Sequence, residues 1–328
     1  MSETTTHIPA ARESAEGNTP STTRVPLLHL LRRRPSARLV QLACLSALIA
    51  NTLIVVTGGA VRLTNSGLGC PTWPECTAGS LVPVPSLGYH GVIEFSNRML
   101  TYAVTVAVGA AIIATMRQRP RRPVLVKLSW ALFFGVVAQA IIGGISVRTK
   151  LAPGWVAFHF SFSMGMIAVS WLLWNRSRQS DEPARTLLRK ELVWLARTLV
   201  GAAGAVVVVG TLVTGSGPHA GATDAARRLG LNPANITQAH ADLVFIVVGL
   251  TIALWFALKA ADAPSAIVSA TRDLFLVLVA QAAIGYTQYF TGLPAWLVLL
   301  HMTGACLTWI GAWRILTSMQ VRPDVRTV

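Results

Sequence analysis

The sequence predicts an all-α integral membrane protein of eight transmembrane helices, arranged as two pseudo-symmetric four-helix bundles. Three observations carry that expectation. Hydrophobic residues fill 53% of the 328 positions and charged residues only 12%, about half the roughly 25% of a soluble domain. The charges are segregated, leaving eight apolar runs of about 20 residues, each enough to cross roughly 30 Å of hydrocarbon at about 1.5 Å per residue. A stretch of the first half recurs in the second at a spacing of 142 residues.

The formal net charge of +15 invites a nucleic-acid reading. The Lys and Arg lie between apolar runs and not along one continuous face, so nucleic acid is excluded and the lipid bilayer is the partner that the pattern requires. Four cysteines are too few for a disulfide scaffold. Cys44 and Cys306 fall inside apolar runs as small buried hydrophobes, whereas Cys70 and Cys76 share one loop.

In chain order, residues 1–35 are rich in Thr, Ser, Glu and Pro and are expected to form a disordered cytoplasmic tail. Arg32, Arg33 and Arg34 precede the first span, near 38–60. That span follows a long polar lead and is therefore expected to be a retained helix and not a cleaved signal peptide. It runs out through Thr57-Gly58-Gly59-Ala60 to Arg62 and a Gly- and Pro-rich loop that holds the cysteine pair. Seven further spans are expected near 90–116, 124–147, 155–175, 195–215, 236–258, 272–291 and 295–318. The connections alternate in charge. Nineteen Lys and Arg fall in one set, made of both termini, the RQRPRR segment at 117–122, Arg176 to Arg197 and Lys259 to Arg272. The opposite set holds Arg62, Arg148, Lys150, Arg227 and Arg228. The positive-inside rule puts both termini, including a short tail at 321–328, in the cytoplasm and the cysteine loop outside the cell membrane. An oxidising exterior favours a Cys70–Cys76 disulfide.

The repeat is local and specific. Ala138-Gln139-Ala140-Ile141-Ile142-Gly143 returns as Ala280-Gln281-Ala282-Ala283-Ile284-Gly285, and Leu151 and His159 map to Leu293 and His301 at the same spacing. Thr57-Gly58 echoes Thr214-Gly215 at a slightly different one. The chain therefore divides into a first half at 36–178 and a second at 190–320. An even number of spans per half makes the two repeats parallel in the membrane.

Polar groups inside a bilayer need a reason. His240 opens span six and His301 lies early in span eight, at one depth. Even-numbered helices of a four-helix bundle face one another across its core, so two neutral imidazoles there can ligate a haem iron from both sides. The bland alternative is a pair of hydrogen-bonded core histidines, and duplication at matching depth argues against it. Zinc would ask for three or four nitrogen and sulfur ligands, and no such cluster stands in the sequence. In the first half His159 stands where His301 stands, but the repeat sets Asn97 against His240. Asparagine is a poor iron ligand. Either a haem there is held by His159 alone with its opposite axial face open, or His90, seven residues before Asn97 on the same helix face, reaches over.

Glu94 lies between His90 and Asn97 on that face. It is a candidate for proton transfer or for stabilising a cationic intermediate, with an ion pair to Arg98 as the structural alternative. Arg62, Arg148 and Lys150 gather at the ends of spans one and three, where they could pair with haem propionates or simply face solvent and lipid headgroups. Cys70 and Cys76 either staple the loop or exchange with a redox partner.

These residues resemble a known family. Val56-Thr57-Gly58-Gly59-Ala60-Val61-Arg62-Leu63-Thr64, Ser66-Gly67-Leu68-Gly69-Cys70-Pro71, Trp73-Pro74-Glu75-Cys76, Ile93-Glu94-Phe95-Ser96-Asn97-Arg98, the Gln139 to Gly144 run and His159, His240 and His301 are similar to the haem A synthases, over about residues 36 to 320. The resemblance implies an oxidoreductase that converts haem O to haem A for terminal oxidases. The C8 methyl group of haem O becomes a formyl group by successive hydroxylations, the resulting gem-diol losing water. It implies a haem b cofactor on His240 and His301 in the second half. It implies a substrate site in the first, with His159 and Glu94 in it and His90 or Asn97 at the second ligand position; Arg62, from its place at the end of span one, is the candidate propionate anchor there. It also implies haem O synthase and an electron donor, quinol or ferredoxin, as partner classes. Two departures stand out. The family's glutamate is usually followed three residues later by histidine, here Asn97, and a second cysteine pair common in the later half is missing.

Two other classes fit parts of the pattern. A bis-histidine cytochrome b passing electrons from quinol would carry two equivalent, fully ligated haems, which Asn97 argues against. A two-repeat transporter would break its spans with Gly or Pro at mid-membrane, and most of these spans lack such breaks.

Overall fold

A computed structural model describes residues 34–186, 188–219, 221–222 and 227–322, together with residue 2. The tails expected at 1–35 and 321–328, with His7 and His29, otherwise lie outside the described residues. Eight described helices are long and apolar enough to cross a membrane. They are α1 (Ala37–Leu63), α2 (Gly88–Arg117), α3 (Pro123–Arg148), α4 (Pro153–Ser177), α5 (Lys190–Ser216), α6 (Pro233–Ala260), α7 (Ser265–Phe290) and α8 (Ala295–Ser318). The chain is thus an all-α, multi-pass membrane protein. A short 3-10 turn, Pro85–Leu87, leads into α2, and two-residue strands β1 (Arg185–Thr186) and β2 (Gln320–Val321) pair antiparallel, tying the α4–α5 connection to the end of α8.

Local chemistry sets where the helices begin. Ser36 Oγ accepts the Leu39 amide at 3.2 Å ahead of α1. Asn232 Oδ1 accepts the amides of Ala234 and Asn235 ahead of α6. Proline fills the first turn of α3, α4 and α6, where its missing N–H is no loss. The α3–α4 and α7–α8 turns are built alike. Leu151 and Leu293 both adopt positive φ, 58° and 61°. Their amides return to the carbonyls of Ser146 and Gln288. Each pair is 142 residues apart, as are the starts of α3 and α7 and of α4 and α8. The α1 and α5 helices are 153 residues apart at both ends.

Seven of the expected spans agree with the helices to within a few residues at most ends. The exception is α7, which starts at Ser265 and not near 272. The connection expected over Lys259 to Arg272 lies partly within this helix, where Asp273 bonds Arg272 at 2.9 Å and Arg314 at 3.0 Å, so paired charges sit within the helix.

Within each set of four, consecutive helices pack and the first closes on the last. Between the sets, α4 packs on α5 and α8, and α1 on α8. Lipid gives helices little hydrophobic reason to associate, so close approach and hydrogen bonds matter more. The seam between the sets has both. A Cβ at Gly59 of α1 would come within 2.8 Å of Met302 Cε of α8. Trp309 Nε1 donates to the Met164 carbonyl at 2.8 Å and Trp171 Nε1 to Thr317 Oγ1 at 3.2 Å. Large apolar side chains such as Leu53, Val106, Phe134 and Phe256 point outward, the inverse of a water-soluble surface. Prolines start helices and do not interrupt them, unlike the broken helices of many transporters.

Candidate functional site

Four inward positions on four helices share one local design. His240 of α6 has its Cε1 3.1 Å from where a Cβ at Gly210 of α5 would stand. The His301 ring of α8 is 3.5 Å from such a Cβ at Gly285 of α7, and the His159 ring of α4 is 3.3 Å from one at Gly143 of α3. The fourth member is Asn97 of α2, whose Nδ2 lies 3.9 Å from a Cβ at Gly58 of α1. In each helical hairpin a glycine on the first helix makes room for a polar side chain on the second. Gly143 and Gly285 belong to the visible repeat. Gly58 and Gly210 do not match by eye, because the spacing between α1 and α5 differs from that of the other pairs. The α5 glycine against the His240 ring is Gly210, preceded by Val209, whereas the sequence sets Thr57-Gly58 beside Thr214-Gly215.

His240 and His301 come together. Their ring centres lie 6.4 Å apart. One iron between two imidazoles holds the ring centres roughly 6 Å apart, from two metal–nitrogen bonds of about 2 Å and about 1.1 Å within each ring. The Nδ1 atoms of His159, His240 and His301 are buried without a hydrogen-bond partner among the described residues. A buried polar atom left alone costs about 1–3 kcal/mol, and such atoms ask for an explanation. Among the described residues no cluster of three or more His, Cys, Asp or Glu stands ready for a bare ion. The donor set of the second half is therefore two facing imidazoles, which fits haem iron and not structural zinc.

The first half differs. His159 is braced by Gln139 of α3, whose Nε2 donates to the His159 carbonyl at 3.1 Å and to Ser163 Oγ. Asn97 Oδ1 accepts the Thr57 hydroxyl at 2.8 Å. His90, at the start of α2, is engaged elsewhere. Its Nδ1 pairs with Ser66 Oγ at 2.9 Å, and its carbonyl lies where a Cβ at Gly69 would clash. It serves as a brace for the α1–α2 loop.

That loop is locked onto the helices beneath it. Cys70 and Cys76 form a disulfide, and both are buried. Glu94 is buried beneath them. Its Oε2 accepts the Cys70 amide at 2.7 Å, and its Oε1 takes Arg98 Nη2 at 2.6 Å. Arg98 in turn donates to the carbonyls of Cys70, Thr72 and Glu75. The ion pair with Arg98, the structural alternative, is present, and the carboxylate also bonds the cysteine loop. Trp73 lies over Gly144 of α3 and its carbonyl accepts Arg148 Nη2 at 3.2 Å. Arg148 is committed to this lid.

Arg62 closes the neighbouring end of the seam. Its Nε donates to the His219 carbonyl at 2.7 Å and its Nη2 to the Thr214 carbonyl at 3.1 Å. Beside it the Gly67 amide bonds the Gly221 carbonyl at 2.8 Å, and His219 Nε2 pairs with the Leu293 carbonyl at 2.8 Å. Trp73, Gly144 and Thr57 stand in the sequence motifs without a role of their own, and Gly210 escaped the sequence reading. The signal that could have found Gly144 is the double glycine after Ile142, where the repeat has Gly285-Tyr286.

With this geometry in hand, similarity to known proteins is informative. The COX15-CtaA family, described as cytochrome oxidase assembly protein, matches residues 41–87 and 86–312. The chain is 29% identical over 173 residues to a protein named Heme A synthase from Lysinibacillus sphaericus (strain C3-41), covering 51% of this chain and 55% of that one. It is 31% identical over 140 residues to the Heme A synthase of Geobacillus kaustophilus (strain HTA426), covering 42% and 43%. The chain therefore spans about half the length of these two relatives. A longer match, 26% identical over 325 residues, reaches the Heme A synthase of Rhodopseudomonas palustris (strain ATCC BAA-98 / CGA009) and covers 83% of this chain and 87% of that one.

Proposed function

The chain belongs to the COX15-CtaA family of cytochrome oxidase assembly proteins, and from that membership we propose that it is a membrane oxidoreductase converting haem O to haem A. The C8 methyl group of haem O is oxidised to a formyl group by successive hydroxylations, and the gem-diol loses water. The observation that carries the reading is the inequality of the two halves. The same glycine-backed positions hold His240 and His301, 6.4 Å apart, in one half but His159 and Asn97 in the other. An electron-passing cytochrome with two equivalent haems has no use for such a difference.

In this reading the second half, 190–320, holds haem b through His240 and His301. When bound, that group supplies electron transfer through its iron. The first half, 36–178, takes haem O as substrate. His159 binds it from one side, and Asn97 faces its other side. His90 holds the lid through Ser66. Glu94, whose Oε1 takes Arg98 and whose Oε2 takes the Cys70 amide, handles a proton at the substrate's edge. Arg62 Nη1, the nitrogen not used on the Thr214 and His219 carbonyls, is available to a propionate. The Cys70–Cys76 loop with Trp73 covers this half and keeps water out.

The positive-inside asymmetry supports a plasma-membrane protein with both termini cytoplasmic and the cysteine loop outside. Electrons come from a donor such as quinol or ferredoxin, and haem O from a haem O synthase. A bacterial strain that makes haem O but no haem A tests the function in vivo. Expression of this chain restores a terminal oxidase containing formyl haem. Continued absence of that pigment, with the protein present in the membrane, refutes the reading.

A further inference from the structure

Thr57 and Asn97 form a polar unit with no counterpart in the second half. Thr57 Oγ1 reaches Asn97 Oδ1 at 2.8 Å, a shorter contact than those to the Leu53 and Ile54 carbonyls at 3.1 and 3.2 Å, while the residue before Gly210 is Val209, which can donate nothing. The amide is thereby oriented. Its oxygen is turned to α1, and its Nδ2 lies over Gly58 as the His240 ring lies over Gly210. The one other imidazole on this helix face is His90, whose Nδ1 is held by Ser66. Seven residues of helix separate it from Asn97 by about 10 Å, so it stands well away from the position opposite His159.

We propose that the first-half site presents one imidazole and one amide to its haem: His159 ligates the iron, and Asn97 Nδ2, oriented by Thr57, donates a hydrogen bond into the open axial face. This rests on reading the first half as the substrate-haem site. An amide oxygen is a weak ligand for iron, and here it is already engaged as an acceptor. The NH2 group has only donors to offer. The iron of this haem is therefore five-coordinate and high-spin, beside a six-coordinate, low-spin iron on His240 and His301. Thr57 is a positioning residue, since it acts through Asn97.

The test is spectroscopic and needs no turnover. The full-length protein is purified in detergent from cells supplying haem O, its haem is counted, and ferric electron paramagnetic resonance and ferrous carbon monoxide difference spectra are recorded. The expected result is two haems per chain, half of the iron high-spin and half low-spin, with carbon monoxide binding to the high-spin half only. Asn97→His should convert all of the iron to low-spin and abolish carbon monoxide binding. Thr57→Val should keep the high-spin signal but raise the carbon monoxide stretching frequency, because the donor is no longer aimed. His90→Ala should leave the high-spin signal in place. Two haems that are both low-spin in the unmodified protein would overturn the inference while leaving the substrate site intact. A single haem per chain would remove the substrate-site reading and this inference together.

Discussion

The Trp73 indole occupies the space that a side chain at Gly144 would fill: a Cβ there would come within 2.5 Å of Trp73 Cδ2. The residue 142 positions later is Tyr286, a large exposed side chain on a half with no cysteine loop. The glycine on α3 is thus the seat of the cysteine loop, and the repeat position carries tyrosine in the half whose sequence has no such cysteine pair.

Filling that seat should displace the lid. Gly144→Ala should cost about 1–3 kcal/mol, as overpacking does. In a Trp73→Ala background the same substitution should be nearly neutral, since the clashing ring is gone. Thermal unfolding of the four proteins of this double-mutant cycle measures the coupling. Additive losses would show that the indole and the glycine do not depend on one another.

Glu94→Gln should remove the charge-assisted bond to Arg98, at a cost of about 1–3 kcal/mol. The three carbonyls of the loop would still hold Arg98, so folding and haem content should persist. Formation of haem A should stop. Undiminished haem A output from this variant would make Glu94 a loop anchor only.

The cysteine pair offers a stability prediction. Both sulfurs are buried, which keeps them from exchanging with an external thiol, and Arg98 and Trp73 hold the loop independently. Changing both Cys70 and Cys76 to Ser should lower stability by about 2 kcal/mol, the loop-closure entropy of so short a ring, with haem A formation retained at permissive temperature. A fully stable but inactive double variant would instead make the pair a redox element.

His240→Ala and His301→Ala should each lose the low-spin haem b, because one remaining imidazole cannot complete six-coordination. Reduced-minus-oxidised spectra of the purified variants read this directly. A normal bis-histidine spectrum in either protein would move the cofactor site elsewhere.

Much of this was legible before any coordinates. Eight spans follow from apolar length alone, and His159 and His301 follow from a repeat that keeps one spacing through α3, α4, α7 and α8. Two kinds of feature were not legible. The glycine at 210 hides in an apolar run, and the longer spacing between α1 and α5 misaligned it. Long-range partners of loop residues were hidden too. Nothing in the spacing of Arg62 says that it bonds carbonyls at 214 and 219, and nothing near Trp73 points to Gly144. Arg272 sets the expected start of α7 too late, because a lone Arg reads as part of a basic connection until its partner Asp273, held also by Arg314, is seen beside it.

Pigment analysis tests the central claim most directly. The purified protein, holding both haems, is incubated with haem O, a reductant and oxygen, and its haem is extracted and separated. The expected product is formyl haem, with the hydroxymethyl haem appearing before it. Recovery of haem b and unchanged haem O alone, from folded and reduced protein, would contradict the assignment.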